Sequence, residues 1–311
     1  MKRILRKILP KNGYNRLVKL RRSMTSRWQD PSSFLSRAIE RKTLSDAALL
    51  EIRTAIDVKA RMDYGRHDIY LHIDSVIEYE TRLHSCEKEP DTVEWIETFM
   101  KPGDTFYDIG ANVGAYSLVA AKFFAGAVRV YAFEPAFLNF SQLCRNLFLN
   151  GCQEIVIPLS VALSDNTKID AFNYHDLVAG GSLHTLGEAI DYKGDRFDPV
   201  LKQPMLSYRA DDLIAQFNLP VPNHIKIDVD GIELSVLKGA DETLSNPALR
   251  SIVVELEEGE NEAQISEYMF SKGFELNSKH RRRTPAMLNC IFVRIVDPLV
   301  SAHQPTVNCQ S

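Results

Sequence analysis

The chain has no apolar run approaching the roughly 18 residues needed to cross a bilayer, although 45% of its 311 residues are hydrophobic. Its first residues also lack the unbroken apolar core and small-residue cleavage site of a secretory leader, so the expected location is the cytoplasm. Cysteine is sparse: Cys86, Cys144, Cys152, Cys290 and Cys309 are odd in number, widely spaced and without a Cys-x-x-Cys pair. That suggests neither a disulfide framework nor a zinc site, and a reducing compartment fits. The eight histidines show no His-x-x-x-His or Glu-x-x-His spacing, which argues against a histidine-built metal centre. Internal repeats and low-complexity segments are absent from the sequence.

Acidic residues are missing from one place. Residues 1–29 hold ten Lys and Arg with no Asp or Glu, which leaves 27 of the 37 basic residues against all 41 acidic ones in the remainder of a chain of net charge -4. The arm "MKRILRKILPKNGYNRLVKLRRSM" interleaves Ile4, Leu5, Ile8, Leu9, Leu17, Val18 and Leu20 with these cations and is broken by Pro10 and Gly13, the composition of two short amphipathic basic helices. Such an arm suits an anionic membrane surface, where each Lys or Arg contributes roughly 1 kcal/mol; a solvated leader would have the same composition. No nucleic-acid partner is expected, because the body is acidic and carries no aromatic-rich basic stripe. The Asn-Pro-Pro-Tyr or Asp-Pro-Pro-Tyr tetrad of amino-methylating nucleic-acid enzymes is also missing.

After the arm, residues 30–90 read as a small leading subdomain, helical over 32–62 and strand-like in places through "DIYLHIDSVIEYETRL". From Pro90 the pattern is regular. Helices are expected at 91–100, 113–125, 136–149, 211–217 and 232–245, between strands at "GDTFYDIG", "VRVYAFEP", "EIVIPLSVAL", "HIKIDVD" and "RSIVVELE". Such alternation implies a doubly wound α/β fold, a mostly parallel sheet with helices on both faces. "GFELN" and "LNCIFVRI" supply a closing pair of strands, so this domain is expected over 91–296, followed by a tail at 297–311. Residues 174–206 show no strong periodicity and read as a long irregular, functional loop.

Two motifs carry chemistry. Asp108-Ile-Gly110-Ala-Asn112-Val-Gly114 follows an apolar strand and opens a helix, so its glycines fall where the backbone turns tightly and approaches a ligand. A dinucleotide fingerprint would read Gly-x-Gly-x-x-Gly and offer a helix N-terminus to a pyrophosphate. Here a carboxylate precedes the turn; it would repel a phosphate but suits a cofactor with a positive end. Twenty residues past Gly114, Glu134 ends the next strand, where an acidic residue can accept both hydroxyls of a ribose.

These stretches resemble the FkbM-type S-adenosylmethionine-dependent methyltransferases, class I Rossmann-like enzymes that mostly methylate hydroxyl groups. The resemblance runs from about Tyr79 to Val293, through "EPDTVEWIETFMKPGDTFYDIGANVGAYSL", "VYAFEPAFLNFSQLCRNLFLNG", "VALSD", "RADDLI", "PNHIKIDVDGIELSVLKGA" and "SIVVELEEG". It implies S-adenosylmethionine as cofactor and S-adenosylhomocysteine as product. Asp108, Gly110, Ala111, Asn112 and Gly114 would hold the methionine half, and Glu134 with Pro135 the ribose. Ala162 and Leu163 would wall the adenine, and Asp165 would either reach its amino group or only form a turn. Glu89 and Thr92 resemble an upstream cofactor segment, and otherwise read as residues at a helix N-terminus. The acceptor implied is a hydroxyl of a sugar in a glycan or glycolipid, with a small polyketide-like metabolite as the alternative.

In "HIKIDVDGIE", Lys226 and Asp228 lie in an expected central strand, where charges are rare unless paired or used. They read as the catalytic pair, Asp228 the base and Lys226 its orienting partner, or else as a structural ion pair. His184 is a competing base because its ordinary pKa lies near neutrality. Asp228, Asp230 and Glu255 could gather a divalent ion, but Asp230-Gly231 also reads as a turn ahead of a helix and no metal is expected. "KHRRR", residues 279–283, reads as a solvated loop, or as a contact for an anionic substrate.

Overall fold

A computed structural model of the protein describes residues 45–191, 194–282 and 287–295. The basic arm at 1–29 and the tail at 297–311 lie outside the described residues. The chain divides into two units, residues 1–58 and 59–311. In the first, helix α1 (Asp46–Ala55) starts at Ser45, whose hydroxyl accepts from the Ala48 amide. The expected helix over 32–62 does not continue past it: residues 59–61 are extended, and β1 (Lys59–Arg61) pairs antiparallel with β2 (Tyr70–His72).

The second unit is built on a seven-stranded sheet in the order β12-β13-β11-β10-β3-β4-β5. Its strands are β3 (Thr105–Ile109), β4 (Arg129–Phe133), β5 (Val156–Leu159), β10 (His224–Ile227), β11 (Ser251–Glu257), β12 (Phe274–Arg281) and β13 (Met287–Arg294). The five strands from β11 to β5 are parallel, and β13 and β12 close one edge antiparallel. This is the expected doubly wound α/β, Rossmann-like architecture. From β3 the chain winds outward through β4 and β5, then returns to lay β10 on the other side of β3. The order reverses between β3 and β10, and ligands in such sheets bind beyond the strand ends at that reversal.

Side chains alternate across the sheet. Phe106 joins one apolar layer with Trp95, Ile96, Leu118 and Val119, while Tyr107 and Ile109 join the opposite layer with Ile225, Val236, Leu237 and Met269. The first layer is covered by α4 (Pro90–Phe99), α5 (Ala115–Phe123) and α6 (Phe137–Leu149), the second by α7 (Ala210–Phe217), α8 (Glu233–Gly239), α9 (Asp241–Ser245) and α10 (Glu260–Ser271). Two short helices, α2 (Val76–Glu80) and α3 (Ser85–Lys88), precede α4.

Several elements differ from the sequence reading. "EIVIPLSVAL" is not one strand: β5 stops at Leu159 on the sheet edge, where Pro158 removes no needed donor, and β6 (Ala162–Leu163) joins a second sheet. That sheet, ordered β6-β9-β7-β8, includes β7 (Lys168–Tyr174), β8 (Thr185–Leu186) and β9 (Leu201–Tyr208), so the stretch from 174 to 206 is partly strand. Pro204 within β9, and the exposed Ile169 opposite exposed Leu206, hide the alternation of a half-buried sheet. The helix expected over 232–245 breaks at Ala240 into α8 and α9; a Cβ on the preceding Gly239 would meet the Ser164 carbonyl oxygen at 1.9 Å. Helix α10 was not expected.

Candidate active site

The reversal point brings both motifs together. Gly110 has φ +81°, and a Cβ there would lie 1.8 Å from the Asp228 carbonyl oxygen, so glycine alone lets the loop after β3 pass beside the end of β10. Asn112 and Gly114 also take left-handed φ (+50° and +88°), and Gly114 directly precedes α5. The Gly110 and Ala111 amides both donate to the Phe133 carbonyl, tying the loop to the end of β4. There the buried Glu134 accepts from the Asn112 amide at 2.7 Å through Oε2 and from the Ala136 amide at 2.8 Å through Oε1. Burial outweighs these donors and pushes its carboxyl up to about 7.

A cleft opens over these ends. Of the residues singled out in the sequence, Gly110, Asn112, Glu134, Pro135, Ala162, Leu163, His184, Asp228, Asp230 and Glu255 line it. Asp108, Ala111, Gly114, Lys226, Glu89 and Thr92 do not line it, and Asp165 is engaged by Ser164, Asn166 and Arg209 away from it. Asp108 is fully buried in the wall: its Oδ2 accepts from Ser117 at 2.6 Å and its Oδ1 has no partner among the described residues. Burial raises its pKa against the opposing charge of Lys226, its register neighbour on β10. Asn112 Oδ1 is likewise buried and unpartnered. Two orphaned acceptors beside a glycine cradle, with an acidic side chain at the next strand end, suit a nucleoside that carries an ammonium group.

Beyond the cradle lies a charge network. Lys226, 2% exposed, donates to Asp228 Oδ2 at 2.9 Å and sits 5.0 Å over the Tyr116 ring. Burial would lift the Asp228 carboxyl, but Lys226, Arg282 and Lys88 together hold it below the usual carboxylate range; the same pairing raises the ammonium of Lys226 against its own burial. Glu89 precedes α4, yet its carboxylate turns to Arg282, which donates to Oε1 at 2.6 Å, and to Thr92, which donates to Oε2 at 3.2 Å. Arg282 also pairs with Glu255. Within "KHRRR" Arg281 is solvated, but Arg282 is almost fully buried, so that stretch is not simply a solvated loop. Glu89, Asp228 and Glu255 bring ligand atoms within 4.8 Å of one another, with Arg282 among them as their counter-ion. Asp230 stands apart from this group.

The segment after β7 covers the cleft. Ser75 donates to the Ala179 carbonyl, Arg82 donates twice to the Gly180 carbonyl, and Asn112 and Asn139 both donate to the Gly181 carbonyl. The Leu183 amide donates to Asp230 Oδ2 at 2.7 Å, and His184 packs on the Tyr174 and Phe172 rings. Arg82, Lys88 and Asn139 line the cleft and were not read from the sequence; no motif marks them, because two stretches some fifty residues apart supply them. Arg282 carried a signal, a basic run beside a strand, whose burial the sequence could not reveal.

A family profile, the methyltransferase FkbM domain, matches residues 108–276, more than half of the chain and a span that begins on Asp108. Relatives include the hexuronic acid methyltransferase AglP of Haloferax volcanii, 24% identical over 188 residues that cover 60% of this chain and 70% of that one. The methyltransferase sdnD of Sordaria araneosa is 29% identical over 211 residues, 61% of this chain and 81% of its own. The 31-O-demethyl-FK506 methyltransferase FkbM of Streptomyces tacrolimicus is 29% identical over 175 residues, covering 50% and 66%. With the cradle, the strand-end acid and the charged strand β10 all falling within the matched span, the chain belongs to the FkbM methyltransferase family and is an S-adenosylmethionine-dependent methyltransferase.

Proposed function

We propose that the enzyme methylates a hydroxyl oxygen, on a sugar of a glycan or glycolipid. The observation that carries the oxygen is the pair of carboxylates, Asp228 and Asp230, lining the cleft beside the cradle, since an alcohol attacks a methyl group only if a base removes its proton. The sugar is supported by one relative named for a hexuronic acid, and the O-direction by another named for a 31-O position. Glu134 would hold the ribose hydroxyls, Gly110 and Asn112 the methionine half, Ala162 and Leu163 the adenine face. Asp108 would act on the methionine half from behind the wall. The cofactor contributes a methyl group on a cationic sulfur, and the protein aligns the acceptor and excludes water.

Lys226, buried under Asp228, fixes that carboxylate's position and charge. The catalytic domain would span residues 91–296, preceded by a leading subdomain at 30–90. Among the described residues no helix is long and apolar enough to cross a membrane; contact with an anionic surface through residues 1–29 rests on their composition alone. Mass spectrometry of glycans and lipids from host cells lacking the gene tests the reading. It predicts a saccharide species lighter by one CH2 unit, restored on complementation. An unchanged saccharide profile with a lighter polyketide-like metabolite would favour that acceptor instead.

A further inference from the structure

We propose that Asp230 is the general base that takes the proton from the acceptor hydroxyl. This rests on the hydroxyl reading above. Asp230 follows β10 at φ +56°, a left-handed conformation uncommon for a residue with a Cβ, and its amide partner Leu183 sits at φ +65°, a clear outlier for a bulky residue. Two residues of left-handed φ, of which the leucine is the strained one, thus meet in one contact, the 2.7 Å bond from the Leu183 amide to Asp230 Oδ2. That bond fixes the carboxylate on the cleft wall and leaves Oδ1 without a hydrogen bond to any described residue.

The competing groups are less suited. Asp228 accepts from Lys226 at 2.9 Å and lies under Arg282 and Lys88, so its carboxylate is stabilised as the anion and is a weak proton acceptor. His184 Nδ1 accepts from the His175 amide at 3.2 Å, which puts the proton of the neutral ring on Nε2 and makes that nitrogen a donor. Asp230 stands otherwise. Burial and the Asp228 charge push its carboxyl up to about 6, against the Leu183 amide, Arg82 and Lys88. Glu233, on α8, faces it as a further acid whose own carboxyl burial lifts to about 7. Asp228 held down and Asp230 lifted are neighbouring carboxylates driven apart, a recurring acid–base arrangement. In the step, the acceptor oxygen bonds to the methyl carbon while its proton passes to Asp230 Oδ1. The carbon–sulfur bond breaks with its electron pair left on sulfur, which becomes neutral, and the proton then leaves Asp230 for solvent.

The test uses the full chain with tritiated S-adenosylmethionine and, as acceptor, an extract of host cells lacking the gene. At S-adenosylmethionine concentrations kept saturating at each pH, which removes the titration of Glu134 from the profile, wild-type turnover should fall below pH 6 with unit slope. Asp230→Asn keeps an acceptor for the Leu183 amide and tolerates left-handed φ; it should cut turnover by roughly 10²- to 10⁴-fold, leave S-adenosylhomocysteine binding within about threefold, and abolish the acid limb. Should Asn misfold by thermal melting, Asp230→Gly, which takes this φ without strain, should show the same loss and regain turnover when formate is added. Turnover within about tenfold of wild type in a folded variant, or an acid limb near pH 6 that survives the substitution, would overturn the assignment. A label released by mild alkali marks an ester; that result, or no label at all, overturns the hydroxyl reading rather than the choice between Asp228 and Asp230.

Discussion

At Gly110 a single hydrogen decides whether the site exists. Any Cβ would overlap the Asp228 carbonyl, on backbone that cannot yield without parting β3 from β10. Gly110→Ala is expected to cost roughly 2–4 kcal/mol of stability and to abolish S-adenosylhomocysteine binding, read by chemical denaturation and calorimetry. Glu134 gives a second prediction at this scale. Its carboxyl titrates at about 7, and only the anion can accept two ribose hydroxyls while holding its backbone donors. Affinity for S-adenosylhomocysteine should be nearly flat above pH 8 and fall about tenfold per unit well below pH 7, whereas Glu134→Gln should bind weakly at every pH. A wild-type affinity independent of pH between 5 and 8 would refute that role. Both positions were legible in the sequence because a glycine that must turn and an acid at a strand end are local requirements.

Among elements, the β12–β13 hairpin reaches back across the sheet edge to deliver Arg282 to Glu89 and Glu255. Removing one partner from a buried charge group leaves the others uncompensated, at a cost of about 3–5 kcal/mol. Arg282→Ala is therefore expected to lower stability by that order, visible in urea denaturation, and to lift the Asp228 carboxyl, which Arg282 helps hold down. Arg282→Lys, with one ammonium in place of a planar fork, should recover only part of the loss. The sequence hid this arrangement. A run of lysine and arginine has the same composition whether it is solvated or folded under a strand, and only the pairing of β12 with β13 turns one of its members inward. The second sheet was hidden for a related reason: β9 carries Pro204 and alternates only over its last residues, so its hydrophobic pattern resembles a loop.

For the whole molecule, the end of the sheet opposite the cleft bears on stability. His224, fully buried at the start of β10, contacts Ser251 Oγ at 2.7 Å and Asp104 Oδ2 at 3.1 Å. Burial, then the charge of Arg250, depresses its pKa to about 4. Because the unfolded chain binds that proton near pH 6.5 and the folded chain does not, its contribution is complete above pH 6.5 and is lost as pH falls towards 4. Glu134 and Glu233 act in the opposite sense: their raised values favour the folded state below about pH 4.5 and cease to do so as pH rises through 7. Comparing wild type with His224→Gln isolates the first effect. The stability difference between them should shrink by about 3 kcal/mol between pH 7 and pH 4, and a difference constant across that range would remove His224 from the account.

The sequence by itself determined the alternating α/β order, the left-handed cradle, the acid at the next strand end and the charged pair on β10, because each follows from periodicity or from a residue type that its backbone position demands. Tertiary structure alone decided which carboxylates keep a counter-ion and which face the cleft unpaired. Lys226, Arg282 and Lys88 converge on Asp228 from three separate segments, and the Leu183 amide reaches Asp230 across the cleft. The charge state of a buried group is set by everything around it, and chain order does not reveal that neighbourhood.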